Sequence, residues 1–209
     1  MSKKRNSPYT ASITGGGFLF DETNVLLPLL QSEDSDALLH DEAIHNQLLH
    51  INAETSRKRA IAEIKRRYYV MSEAFWGDYE KMNKEDEQVA LFFVILKTYK
   101  ICFNLHVNVT MRRWNSVRKL VTHDDLMMEF NEIAASDAFV DSWSETTKGK
   151  VAGAYLTVLR KIGMLDEDST LHPLSCSNFS YYINCGELWF LEACLLQPYE
   201  IENIKKQML

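Results

Sequence analysis

No two cysteines form a CxxC pair: Cys102, Cys176, Cys185 and Cys194 stand nine or more positions apart. That spacing excludes a paired-ligand zinc site, and with a basic, polar start in place of an apolar leader it predicts reduced thiols and a cytoplasmic location. No apolar run approaches the roughly 18 residues of a membrane span. The longest, Val89–Leu96, is closed by Gln88 and Lys97, and Leu188–Leu196 is interrupted by Glu192, so no membrane partner is expected. Glycine and proline are scarce, at eight and four residues, while 46% of the chain is apolar and 11% aromatic. Such a composition predicts a packed core and excludes a mostly disordered chain. Gly15-Gly16-Gly17 lacks the Gly-Lys-Ser/Thr ending of a phosphate loop, and no G-x-S-x-G elbow occurs, so no enzyme is expected. His40, His45 and His50 recur every five residues, off the spacing of three or four at which imidazoles share a helix face. Neither a metal nor any other cofactor is expected.

What the sequence does contain is helical periodicity, which predicts an all-α helical bundle. The first 35 residues read as an irregular arm whose aromatic end, Phe18-Leu19-Phe20, packs on the body. A helix is predicted over 35–49, burying Leu38, Ile44, Leu48 and Leu49. The next runs from Ser56 to Glu73 with Thr55 or Ser56 as N-cap, and puts Ile61, Ile64, Tyr68, Met71 and Phe75 inward. Further helices are predicted over 84–106, 109–120 and 122–135, the last capped by Thr122 with Asp124 and Asp125 in its first turn. A short helix over 137–143 then precedes a long one capped by Ser144 and ended at Gly163. Met164-Leu165, a polar turn at 166–169 and Leu171–Leu174 would suit a small β-hairpin, giving a winged-helix-like helix-turn-helix plan. One or two helices over 178–209 would close the core with Trp189, Phe190 and Leu195. The expected organisation is an N-terminal lobe over 1–121 and a C-terminal lobe over 122–209. No sustained heptad seam is present, and a monomer is expected.

Charge of −6 taken alone argues against nucleic acid. The distribution argues for it: the windows 55–67, 97–119 and 148–161 hold 16 of the 23 basic residues and one acid, Glu63. With a screening length of about 8 Å at physiological salt, acids on a far face count for little against such a patch. For any one window a solvated helix face is the plain alternative; three windows together favour a phosphate-binding surface. The residues expected to meet double-stranded DNA are Thr55, Ser56, Arg57, Lys58, Arg59, Lys65, Arg66 and Arg67 from the first window. The second offers Arg112, Arg113, Arg118 and Lys119, and the start of the long helix offers Ser144, Thr146, Thr147, Lys148 and Lys150. On that helix Val151, Ala154, Tyr155, Val158 and Ile162 face inward, leaving Lys148, Lys150, Gly153, Thr157, Arg160 and Lys161 outward. Gly149 and Gly153 would allow either a groove wall or a second helix to come close. Trp114 among basic residues would equally serve RNA by stacking, or act as a core anchor.

Three segments, SITGGGFLFDET (12–23), ETSRKRAIAEIKRRY (54–68) and SETTKGKVAGAYLTVLRKIGML (144–165), resemble the BrxA family of bacteriophage-exclusion (BREX) defence systems. The resemblance implies an all-α protein with two helix-turn-helix elements beside basic surface. It implies DNA binding within a system that methylates host DNA and blocks phage replication, and some likeness to helical antitermination proteins that bind RNA. An inner-membrane label attached to the family is at odds with this sequence. The family brings no catalytic motif, so no active-site residues carry over. Two alternatives stay open beside DNA: RNA binding on the same surface, and an assembly adaptor whose basic face meets acidic proteins, including other defence-system components.

Overall fold

A computed structural model describes residues 6–208; residues 1–5 of the expected arm and Leu209 lie outside the described residues. The protein is mostly helical, and no strand forms among the described residues. Its centre is α5 (Lys84–Thr98), which Asn83 starts by accepting the Asp86 amide while Glu85, Asp86 and Glu87 oppose the helix dipole. Val89–Leu96 are all buried. A helix apolar all round must be surrounded by others.

The break expected near 107–108 comes instead at Tyr99, where the backbone turns extended and the chain bends by 106° into α6 (Lys100–Leu105). The Tyr99 hydroxyl explains it: it donates to Glu63 at 2.7 Å and accepts from Arg67 Nε at 2.9 Å, so this residue must point back into the core. A π-turn, His106–Thr110, and α7 (Met111–Trp114) continue α6 without interruption. The π-turn aims both His106 and Thr110 at the Tyr155 hydroxyl, at 2.8 and 2.7 Å. Among the described residues no single helix is long and apolar enough to cross a membrane.

The expected arm contains a short 3-10 turn (Ser12–Gly15) and a full helix, α1 (Phe20–Leu30). Asp21 and Glu22 favour its start, and Phe20, Thr23, Leu26, Leu27 and Leu30 form a buried stripe at helical spacing. In α2 (Ser35–His45) the predicted face is rotated: Leu39, Glu42 and Ala43 are buried, whereas Leu38, Ile44 and Leu48 are 39–46% exposed. The cause is Glu42, whose carboxylate accepts the amides of Gln47, Leu48 and Leu49 and must therefore face inward. The helix expected over 56–73 is α3 (Glu54–Tyr68), which ends five residues early, and a separate α4 (Glu73–Tyr79) begins where that helix was to stop.

From Thr122 onward the local signals hold. Thr122 and Asp125 form a reciprocal capping box on α8 (His123–Ser136). Asp137 accepts two amides to start α9 (Ala138–Asp141), and Ser144 caps α10 (Glu145–Lys161). Gly163 takes φ +76° just beyond α10. The expected hairpin is reduced to two isolated antiparallel bridges, Leu165 with Leu171 and Leu120 with Thr170. Asp166 closes the turn through its side chain, bonding the Thr170 amide and His172 at 2.8 Å each, and the Leu171 amide is given to the Lys119 carbonyl at 2.8 Å, so the pairing is split between two segments. Three short helices follow: α11 (Phe179–Asn184), α12 (Trp189–Ala193) and α13 (Pro198–Gln207). One continuous apolar core joins residues from Ile13 to Ile201.

Candidate nucleic-acid interface

Helix α3 presents fewer free cations than its sequence promises. Its N-cap is Ala53, so Thr55 and Ser56 are exposed first-turn residues and cap nothing. Glu54 opens the helix and pairs with Lys58 at 2.5 Å, placing a carboxylate where a phosphate would sit.

Arg57 is buried and donates to the carbonyls of Ala43, Ile44, Ile51 and Asn52 at 2.6–3.2 Å. It closes the C-terminal end of α2, where carbonyls lack helical partners. Arg67 is fully buried, donating to Tyr99, to the Phe18 carbonyl at 2.7 Å and to the Gly17 carbonyl at 2.5 Å. Lys148 is buried beside Glu145 at 2.9 Å. These three residues are struts, and the expectation that they face DNA is corrected. A signal for this was present: Arg57 stands four before Ile61, Arg67 three after Ile64 and Lys148 three before Val151, all on the inward stripes.

Lys65 pairs with Asp36, Arg66 with Glu63 at 3.5 Å, and Arg113 with Asp125. The Lys65–Asp36 pair, with its exposed acid, is worth about 0–1 kcal/mol and a phosphate competes with it readily, whereas Arg66 and Arg113 answer the buried carboxylates of Glu63 and Asp125 and are less free to leave them. Asp125 is held more firmly. Burial pushes its carboxyl up, but the Thr122 amide and hydroxyl and Arg113 outweigh that and keep it below the usual carboxylate range. Arg112 is exposed but lines a groove with Asp125, Glu129 and Glu132, which dampens its field. Lys119 lies 3.7 Å over the Trp114 ring, so that indole is half-buried and covered rather than free to stack on bases. Arg59 and Arg118 are exposed and form no ion pair within the described residues.

The long helix α10 is better placed. Ser144 accepts the Thr147 amide at 3.1 Å, fixing the exposed first turn. Thr146, Lys150, Gly153, Thr157, Arg160 and Lys161 then recur at helical spacing on the outer side, and no acid interrupts them. Of the two glycines, Gly149 lies against the His123 ring, 3.6 Å from where a Cβ would stand, whereas Gly153 meets open space. His123, at the start of α8, therefore borders this surface and was not anticipated from sequence. The packing that brings it there is α8 against both α9 and α10.

Among the described residues no three His, Cys, Asp or Glu side chains converge on a metal site. His45 instead bonds Asp41 one helical turn away at 2.7 Å.

No curated protein matches this chain. It is similar in fold to the crystal structure of an uncharacterized protein from Magnetospirillum magneticum. The TM-score is 0.76 at 19% identity, over 90% of this chain and 98% of that one. Residues 7–178 match the BrxA family. That match takes in all three of the segments quoted above and most of the core they build, and the chain therefore belongs to the BrxA family of BREX phage-defence systems.

Proposed function

We propose that this protein is a non-enzymatic, double-stranded DNA-binding component of its BREX system, acting as a cytoplasmic monomer through phosphate contacts with weak sequence preference. The observation that carries the reading is the acid-free stripe Thr146, Lys150, Gly153, Thr157, Arg160 and Lys161 on α10. In this reading α8, α9 and α10 form a helix-turn-helix with α10 as its recognition helix, the bridged loop 164–172 stands in place of a wing, and α2 and α3 form a second such element. Arg59, Arg66 and Arg118 add cations outside α10.

With Arg57, Arg67 and Lys148 occupied inside, about five phosphates are neutralised, so affinity should fall by about 10² to 10³ between 50 and 200 mM salt. The test is fluorescence anisotropy of a labelled duplex across that range, with structured RNA as competitor. Reversing the charge of Lys150 and Arg160 together should weaken binding and flatten the salt dependence. Salt-insensitive binding, or preference for the RNA, would reject the reading.

One feature favours an adaptor role as a second reading: the apolar side chains Leu38, Ile44 and Leu48 exposed on and just after α2. Substituting them should release a partner protein while leaving DNA binding intact.

A further inference from the structure

One histidine stands at the edge of the α10 stripe, and it differs from the lysines and arginines there in that its charge can change. Gly149 lies three residues after Thr146 and four before Gly153, on the flank of the same outer face. Glycine weakens a helix interior relative to alanine. Here the missing side chain makes room for the His123 ring from α8, with Nε2 3.6 Å and Cε1 3.8 Å from where a Cβ would stand. The first residue of one helix is thereby laid beside the early turns of another.

The ring has both nitrogens open to a ligand. Its side chain is 48% exposed, and Asp124 Oδ1, 4.0 Å from Nδ1, is beyond hydrogen-bonding distance. The rings of His45, His106 and His172 are each hydrogen-bonded, whereas His123 forms no such bond among the described residues.

The charged groups around it are mostly engaged elsewhere. Asp124 is 97% exposed, so its pull on the ring is screened by water. Glu145, one turn before Gly149 on α10, is paired with Lys148 at 2.9 Å, and Lys150 follows Gly149 directly. The turn 166–169, bonded to Val121 on the approach to α8, brings three acids: Asp166 bonds His172, Asp168 accepts the Thr170 amide at 3.0 Å, and Glu167 is exposed. On the same approach Arg118 is exposed and Lys119 lies over Trp114.

An imidazole gains its charge between about pH 8 and 5, and as an imidazolium it donates a charge-assisted bond to a phosphate oxygen. A cation at the first residue of α8 opposes the positive end of that helix's dipole, and a phosphate seated beside it relieves that opposition. A proton on this ring is therefore held better in a phosphate complex than in the free protein, and linkage requires affinity to rise as pH falls. We propose, resting on the duplex-binding reading above, that His123 is a further phosphate ligand of the α10 surface and that duplex binding takes up one proton there.

Anisotropy of a labelled duplex at about pH 8 and about pH 6, each over a range of salt, separates the outcomes. From the higher pH to the lower, wild-type affinity in about 100 mM salt should rise about fivefold more than that of His123→Gln, and the wild-type salt slope should steepen by about one, the mark of one added phosphate contact. His123→Gln should match wild type near the higher pH, and His123→Lys, a permanent cation, should show the steeper slope at both. Equal pH dependence in wild type and His123→Gln, or a loss in His123→Gln that is the same at both pH values, would overturn the proposal while leaving duplex binding in place. An absence of duplex binding by wild type at either pH would remove the reading beneath it as well.

Discussion

Arg66 and Arg67 are adjacent in sequence and opposite in consequence, which makes Arg67→Met a sharp test of the architecture. Methionine fills much of the same space but donates nothing. It leaves the Gly17 and Phe18 carbonyls without their guanidinium, and removes the buried donor to the Tyr99 hydroxyl that itself donates to Glu63. Each stranded buried acceptor costs about 1–3 kcal/mol, and removing one partner of a buried charged network about 3–5 kcal/mol in all. For a chain of this size that is a fall in Tm of roughly 6–20 °C. Arg66→Met loses one long pair at 3.5 Å from a half-exposed arginine to a Glu63 that keeps its bond from Tyr99, and should cost about 1 kcal/mol, while weakening duplex binding. Differential scanning calorimetry and anisotropy on both variants separate the two roles. An Arg67→Met protein that melts like wild type and has lost DNA affinity would refute the strut assignment and restore Arg67 to the binding surface.

Lys150→Ala should lower the salt slope of duplex binding by about one, the signature of a single lost phosphate contact, with no change in Tm. Thr122→Ala removes the hydroxyl that accepts the Asp125 amide and donates to Asp125 Oδ2 at 2.9 Å; about 1 kcal/mol, or 2–4 °C in Tm, should go with it. Burial pushes the His106 imidazole down to about 4, against about 6.5 when unfolded, so the unfolded chain takes up this proton first as pH falls. Stability should therefore be complete above about pH 6.5 and decline by about 3 kcal/mol towards pH 4, as urea midpoints would report. His106→Phe should lack that decline, keeping only the steeper loss at lower pH as carboxylates such as Asp86 and Asp125 protonate.

What could be read from the sequence was set by contacts spanning three or four residues. Thr122, Ser144 and Gly163 act through amides in their own turn, so their residue type announced their place. The bend at Tyr99 and the roll of α2 were not legible, because each depends on a buried polar bond to distant or non-helical backbone: Tyr99 to Glu63, 36 positions away, and Glu42 to the loop beyond its own helix. Helix α1 was obscured by its approach, since three glycines read as a breaker. Arg67 turns that approach into a fixed start by holding two carbonyls 49 and 50 positions back. Counting charge by window could not separate Arg57 from Lys58, and the inward stripe was drawn only from apolar residues although Arg57 stands one turn before Ile61.

The three segments that carry the family resemblance meet in space. The turn Ser12–Gly15 packs on both α3 and α10, and a side chain at Gly15 would crowd Glu63 at 3.2 Å. Gly17 and Phe18 are bound by Arg67 of the second segment. Much of what makes this chain a BrxA is thus a packing arrangement that sets α3 and α10 on either side of one glycine turn. Membership constrains that frame, while the DNA affinity proposed above rests on outward residues the frame leaves free. Charge reversal along Lys150 and Arg160 should therefore weaken duplex binding in a protein that still folds as a member of the family, whereas replacing Gly15 should unsettle both helices together.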